Sequence, residues 1–384
     1  MYRHFPANYW WSLMFMNALA IGGEMTEMEP ACRPLKEIAK AEVDDAENKE
    51  WVQAWSALGS RVEALGDVDA AGNMCAGATR KYLRAAAYSF VAEVMRPASD
   101  QDPEKMAVYD AAQRAFRKGI EWSGLPIEFV DVPFEGATLP AIFVPGRSPD
   151  GRPAPCMVHF DGKDDVKEVT YLRHRQGMAD RGISLLIVDH PGSGAALRKQ
   201  QLYARPDIEV AATAAVDYLE TRSDVDMGRI GIIAQSMGGY YAPRSAAFEK
   251  RFKACVVWGA AWDLDELCAA DPALEQPSFW KPLGPLPDTA AVKRRLADFK
   301  LSDHLHELKC ALLVFHGEHD VQVPLWTAER TYERAINASS RELRVFTEAE
   351  GGAQHCQADM FSQATDLIAD WSARFFGTDA GVVK

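Results

Sequence analysis

From residue 31 to residue 120 the apolar positions recur every three or four residues, as in Trp51, Trp55, Leu58 and Val62 and again in Tyr82, Ala86, Phe90 and Met95. That spacing puts them on one face of a helix. Pro97 to Pro103 is a polar break, and a further helix is predicted over Glu104 to Lys118, stopped by a C-cap glycine at Gly119. After Pro126 the pattern changes to alternation and then to short apolar runs. The runs Ile127–Phe134, Leu139–Val144, Cys156–Phe160, Ile183–Val188, Ile230–Ala234, Ala254–Trp258, Ala311–Phe315 and Leu343–Phe346 are eight strand candidates. Helical stretches at Ile208–Glu220, Gly239–Phe248, Leu325–Ile336 and Ala358–Phe375 separate the later runs. Strands alternating with helices imply an α/β fold, a mostly parallel eight-stranded sheet covered on both faces. Residues 264–306, with several prolines and the pair Phe279-Trp280, interrupt the rhythm and read as a cap insertion over the carboxyl edge of the sheet. The expected organisation is a helical region over 1–125 and an α/β domain over 126–384.

The 384 residues carry a net charge of −13, with 48% hydrophobic and 25% charged residues, which excludes disorder, collagen and coiled coil. The acidic balance argues against nucleic acid and against anionic membrane surfaces, because neither is bound without clustered Lys and Arg. Seven scattered cysteines with no CxxC pair fit free thiols in a reducing compartment, so neither a disulfide framework nor a zinc site is expected, and the location expected is the cytoplasm. Tyr9 to Ile21 is apolar apart from Ser12 and Asn17 and has the outline of a secretory leader, with Arg3 before it and Ala18-Leu19-Ala20 at its end. It is too short to span a bilayer. The aromatics Tyr9, Trp10 and Trp11 at its start favour a buried amphipathic helix.

The strongest chemical signal is Ile230-Gly-Ile-Ile-Ala-Gln-Ser236-Met-Gly-Gly239, an apolar strand running into small-x-Ser-x-Gly and then a helix. This is a nucleophile elbow in the context it requires. The turn is so tight that Ala234 and Gly238 must be small, or Ser236 is pushed off its exposed position. A serine hydroxyl is a weak nucleophile at neutral pH and needs a base, which in turn needs an orienting carboxylate. Both are expected later in the chain, in the order Ser, Asp, His. Asp320 follows the run Ala311–Phe315 within His316-Gly-Glu-His-Asp320, and His355 follows Leu343–Phe346 within Gly351-Gly-Ala-Gln-His355-Cys. His316 and His319 are alternative bases and Glu318 an alternative acid. Cys356 reads as a packed thiol.

A tetrahedral intermediate needs backbone donors aimed at its oxyanion. One is expected from the Met237 amide at the start of the helix. The other is expected from the loop after the third run, Val158-His-Phe-Asp-Gly162-Lys163, with Lys163 first and Gly162 next. The run Asp189-His-Pro-Gly-Ser-Gly194 lacks both the Gly-Lys-Ser/Thr ending and the GxGxxG spacing, so it reads as a tight turn beside the site rather than a phosphate loop. HExxH is also absent, and no cofactor or metal is expected.

Together the elbow, the acid loop, the histidine loop and the Asp-x-Pro-Gly-x-Gly turn, in this order, resemble the α/β-hydrolase superfamily. Within it the helical N-terminal region, Gly162 to Glu168, Ser236-Met-Gly-Gly-Tyr-Tyr-Ala and Ala254-Cys-Val-Val-Trp-Gly259 are similar to 2,6-dihydroxypseudooxynicotine hydrolase and to the fungal polyketide-shortening hydrolases. The resemblance covers the chain from about Pro126 onward and, more loosely, the helices before it. It implies cleavage of a carbon–carbon bond next to a ketone by a serine triad, aided by a glutamate whose counterpart falls in Asp263-Leu-Asp-Glu266. Glu266 is favoured there, with Asp263 and Asp265 open. It also implies a small-molecule substrate, a helical region packed over the active site and a homodimer. An esterase or amidase on a small acyl or aromatic substrate is the alternative. Tyr240 and Trp262 are candidate substrate contacts, although aromatics at such positions equally serve a core.

Overall fold

In the computed structural model, which describes residues 1–39, 45–96, 102–147, 151–163, 165–174, 176–270, 274 and 276–378, the chain forms two units, Met1–Ile127 and Glu128–Lys384. Residues 97–101 of the expected polar break, and 271–273 and 275 of the expected insertion, lie outside the described residues.

The first unit contains α1 (Tyr9–Ala20), α2 (Met25–Cys32), α3 (Asp45–Ala71), α4 (Cys75–Val94) and α5 (Pro103–Ser123). Asn8 caps α1 by accepting the Trp11 amide at 2.8 Å. The apolar segment that could be read as a leader here buries Trp11, Leu13, Phe15 and Ala18. Trp11, Trp51 and Trp55 pack in series as tilted pairs, with ring centroids 5.0 and 5.3 Å apart, and the Trp51 indole donates to the Val91 carbonyl of α4 at 3.0 Å. Aromatic rings dominate this core because each buries a large apolar area, although the Trp55 indole nitrogen, buried in the same row, has no hydrogen-bond partner among the described residues. Among the described residues no helix is long and apolar enough to cross a membrane.

The end of α5 corrects the expected C-cap. The helix runs on to Ser123 and stops at Gly124, which takes the left-handed φ of +66°. Gly119 serves packing instead: a Cβ there would lie 2.6 Å from Leu83 Cδ2 and 3.1 Å from the Leu83 amide nitrogen, so its bareness lets α5 approach α4.

The second unit is an eight-stranded sheet in the order β1-β2-β4-β3-β5-β6-β7-β8. Its elements are β1 (Glu128–Phe134), β2 (Ala137–Val144), β3 (Ala154–Phe160), α6 (Lys167–His174), α7 (Gly177–Asp180), β4 (Ser184–Val188), α8 (Gly194–Gln200), α9 (Glu209–Glu220), β5 (Val225–Gln235), α10 (Gly238–Phe248), β6 (Ala254–Trp258), α11 (Leu264–Ala270), α12 (Thr289–Leu296), β7 (Ala311–Gly317), α13 (Leu325–Arg334), β8 (Arg341–Phe346) and α14 (Phe361–Phe376). The β1–β2 and β2–β4 pairs are antiparallel and the other pairs parallel. Strands β3, β4, β6 and β7 are buried at every position, as parallel strands covered on both faces must be.

Strand β5 begins at Val225, ahead of its apolar run, and its register against β3 shifts between Ala154 and Cys156. Helices α6, α8, α11 and α12 are of eight residues or fewer, too short for an apolar period to announce them. Register aligns Phe160 with Ala234, Gln235 with Trp258, and Trp258 with Phe315. The carboxyl ends of β3, β5, β6 and β7 therefore reach one edge together, and the loops that leave that edge carry the candidate chemistry.

Candidate active site

Ser236 follows the last residue of β5 and sits at φ +58°, a left-handed conformation that costs a non-glycine residue on the order of 1 kcal/mol. Its amide donates to the Trp258 carbonyl at 2.8 Å and its carbonyl accepts the Gly239 amide at 2.7 Å, so strand and helix hold the strained turn from both sides. A Cβ on Gly238 would stand 2.6 Å from the Ala234 Cβ, and one on Gly239 would meet the Gly259 carbonyl at 2.5 Å. The small residues expected at the elbow are thus small because they face one another.

Asp320 lies after β7 with its carboxylate buried. Oδ1 accepts the amides of Gln322 and Val323, each at 2.9 Å, and Oδ2 accepts His355 Nδ1–H at 2.7 Å. On the far side of the ring, Nε2 of His355 accepts the Ser236 hydroxyl at 2.8 Å. The Nδ1–H tautomer satisfies both contacts and leaves Nε2 free to take a proton. Burial works against charge on either member. The Asp320 carboxylate nevertheless holds the His355 pKa well above its ordinary 6.5, and the imidazole holds Asp320 below the usual carboxylate value.

The loop that presents His355 has glycines at φ +81° and +82°, Gly351 and Gly352, and continues through Cys356 and Gln357 at +48° and +52°. Asp359 accepts the amides of Gly352 and Gln354 at 3.1 Å, and the Gln357 side chain accepts the Trp258 indole N–H at 2.8 Å. Sequence reasoning missed these two braces, since an Asp and a Gln beyond a histidine carry no spacing signal. Cys356 Sγ stands 3.5 Å from His355 Nε2 and 3.7 Å from the Trp258 carbonyl.

The alternatives for acid and base fall elsewhere. His316 is fully buried and donates Nε2–H to the Val323 carbonyl at 2.8 Å, 3.4 Å from Asp320 Oδ2, where it braces the acid loop. Burial lowers its pKa, so the ring is neutral. His319 is half exposed beside the carboxylates of Glu318 and Glu348, and Glu318 accepts the Glu348 amide at 3.1 Å.

Met237 precedes the first turn of α10, where a helix amide has no intrahelical acceptor. Gly162 presses on the nucleophile: a Cβ there would lie 2.9 Å from the Ser236 Cβ and 3.5 Å from its Oγ. The Lys163 ammonium lies 4.1 Å above the Phe279 ring.

Other expected residues have other surroundings. Asp263 is buried, and its carboxylate accepts the Leu301 and Ser302 amides and the Ser302 hydroxyl, while Asp265 pairs with Lys300 at 2.6 Å. Glu266 is exposed on α11, where its partner among the described hydrogen bonds is Arg330 rather than Ser236 or His355. Tyr240 is fully buried against Tyr241 and Phe299 with its hydroxyl on the Pro206 carbonyl at 2.7 Å, and Trp262 is 2% exposed in the same core. In this structure both are core side chains.

The Asp189 carboxylate accepts the Lys167 and Ala195 amides at 2.9 and 2.7 Å and the Lys167 ammonium at 2.7 Å, so the Asp189–Gly194 turn is occupied by the protein itself. All seven cysteines are free thiols. Among the described residues no group of three or more His, Cys, Asp or Glu side chains is placed to hold a metal ion.

Residues 170–378 match the model of the prolyl oligopeptidase family. Hydrolase pyiE of Pyricularia grisea is 32% identical over 250 residues, which cover 60% of this chain and 53% of that protein. The α/β hydrolase ucsC of an Acremonium species is 30% identical over 283 residues, covering 69% of this chain and 56% of that protein. The chain spans a little over half the length of these curated relatives. The crystal structure of 2,6-dihydroxy-pseudo-oxynicotine hydrolase superposes with a TM-score of 0.76 over 94% of this chain and 95% of that one, at 22% identity. That likeness is one of fold, the α/β-hydrolase fold.

Proposed function

The chain belongs to the prolyl oligopeptidase family and is an α/β hydrolase, and from that premise we propose that it works as a serine hydrolase through an acyl-enzyme. The observation that carries the reading is the continuous line from the Ser236 hydroxyl through His355 to Asp320, with contacts of 2.8 and 2.7 Å. Ser236 Oγ attacks a carbonyl carbon while His355 Nε2 takes the hydroxyl proton. Asp320 stabilises the imidazolium that forms. The amides of Met237 and of Lys163 or Gly162 receive the oxyanion. The carbon–leaving-group bond then breaks, the leaving group takes the proton from His355, and water activated by the same base hydrolyses the acyl-enzyme.

The substrate we propose is a small aromatic or polyketide-like ketone cleaved at the adjacent carbon–carbon bond, the chemistry expected of the branch that the chain resembles. Such a cleavage leaves a carbanion equivalent that must be protonated at carbon. Glu266, whose carboxylate pairs with Arg330, is our candidate for a group that assists transfer of the His355 proton to that carbon, the role the resemblance implies. We also propose a homodimer formed through the helical unit, and a cytoplasmic location in keeping with the free thiols.

Exposure to a fluorophosphonate followed by intact-mass and peptide mapping tests the core of the proposal. A single adduct on Ser236 that disappears in His355→Ala is the expected result. A folded protein that takes no label from probes of decreasing size rules it out.

A further inference from the structure

The Asp189–Gly194 turn holds no ligand-binding pattern, yet one of its side chains is buried directly behind the loop expected to receive the oxyanion. His190 is fully buried between Phe160 and Tyr241, with ring centroids 4.9 Å from each. Its Nε2 is 3.0 Å from the carbonyl of Asp161, and its Nδ1 is 2.9 Å from the carbonyl of Pro191, the next residue in its own turn. Burial lowers the pKa of this ring while the two carbonyls, which can only accept, favour a proton on the nitrogen each faces, and the Asp161 contact requires that proton on Nε2. As the Nε2–H tautomer it donates to Asp161.

That carbonyl belongs to the peptide whose N–H is Gly162. The described chain has no cis peptide bond, so the carbonyl and the N–H of this plane point in opposite directions. Holding the Asp161 oxygen from behind therefore fixes the heading of the Gly162 N–H and the starting point of the Lys163 peptide. The Cα of Gly162 is already pressed against Ser236.

The same turn is stitched to the loop further along. The Gly194 amide donates to the Asp165 carbonyl at 3.0 Å, and Asp189 receives both the amide and the ammonium of Lys167. Across the loop, the Gln235 side chain donates to Asp165 Oδ2 at 2.6 Å, which ties it to the residue before the nucleophile. Of these contacts, the one from His190 falls on the peptide adjoining Gly162.

We propose that His190, as its Nε2–H tautomer, is a positioning residue that aims the oxyanion-binding amides by holding the Asp161 carbonyl from behind. The inference rests on the serine-hydrolase reading above. It gives the Asp-His-Pro-Gly-Ser-Gly segment a purpose in turnover, since an oxyanion donor accelerates the reaction only when it already points where charge will develop. A shift of about 1 Å in such a group costs on the order of 10²-fold in rate.

His190→Asn and His190→Gln separate positioning from packing. Asparagine keeps an amide nitrogen near the place of Nδ1 and falls short of Asp161, whereas glutamine carries one out to the place of Nε2. The readouts are the rate of fluorophosphonate capture at Ser236, kcat and KM on an activated nitrophenyl ester, and the melting temperature. The expected result is a loss of about 10- to 100-fold in capture rate and kcat for His190→Asn with KM little changed, and recovery to within about threefold in His190→Gln. Equal behaviour of the two variants overturns the proposal, whether both stay near wild type, both are equally slow or both lose the fold. If the wild-type protein takes no label, the serine-nucleophile reading falls and this inference falls with it. A labelled wild type with indifferent His190 variants removes the inference alone.

Discussion

Asp320→Asn exchanges one oxygen for an amide nitrogen, and the surroundings of Asp320 dictate which oxygen is lost. Oδ1 accepts two backbone amides, from Gln322 and Val323, so the carbonyl oxygen of an asparagine must take that position. The NH₂ group is then left at the place of Oδ2, 2.7 Å from His355 Nδ1. Two donors cannot share that contact, and the imidazole moves its proton to Nε2, where it meets the Ser236 hydroxyl and can no longer accept from it. Turnover should fall by about 10⁴-fold, the size of the same change in a serine protease triad. At about 1.36 kcal/mol per decade this is roughly 5.4 kcal/mol of transition-state stabilisation. The buried carboxylate is replaced by a group of the same shape, so the fold should survive. Capture of a fluorophosphonate and kcat on an activated ester, measured alongside the melting temperature, give the answer. A folded Asp320→Asn protein that keeps a tenth or more of wild-type activity refutes the assignment of Asp320.

In the wild type, His355 must be neutral to accept the proton, and Asp320 raises its pKa despite burial, so log(kcat/KM) should fall with unit slope as pH drops through a value above 6.5; an acid limb centred well below 6.5 contradicts the pairing. Gly119→Val places a branched side chain where even a Cβ would be 2.6 Å from Leu83 Cδ2, and should destabilise the helical unit by about 1–3 kcal/mol in denaturant unfolding. A neutral effect would mean that α4 and α5 are not in close contact there. Glu266→Gln should slow cleavage of a β-diketone while leaving hydrolysis of a nitrophenyl ester unchanged; equal rates on both substrates remove the role given to Glu266. Light scattering at micromolar concentration should return twice the chain mass, and a monomer there ends the dimer proposal.

The elbow, the acid loop and the histidine loop were all legible in the chain, because each is a local device. Ala234 and Gly238 must be small wherever a strand turns so sharply into a helix, and the strands appear as apolar runs because both faces of β3, β4, β6 and β7 are covered. What remained open depended on partners far away in sequence. His316, His319 and His355 are equivalent imidazoles until folding puts one against Val323, one beside Glu348 and one between Asp320 and Ser236. Gly119 reads as a helix stop until Leu83 of another helix claims it for packing, and the helix runs on to Gly124. His190 reads as a filler position in a turn until the sheet order brings β3 and β4 side by side and places its ring under Asp161. Chain composition determines which groups are present and which local conformations they tolerate. The pairing of those groups is decided by burial, which forces each polar atom to find whatever donor or acceptor the tertiary fold has carried within reach.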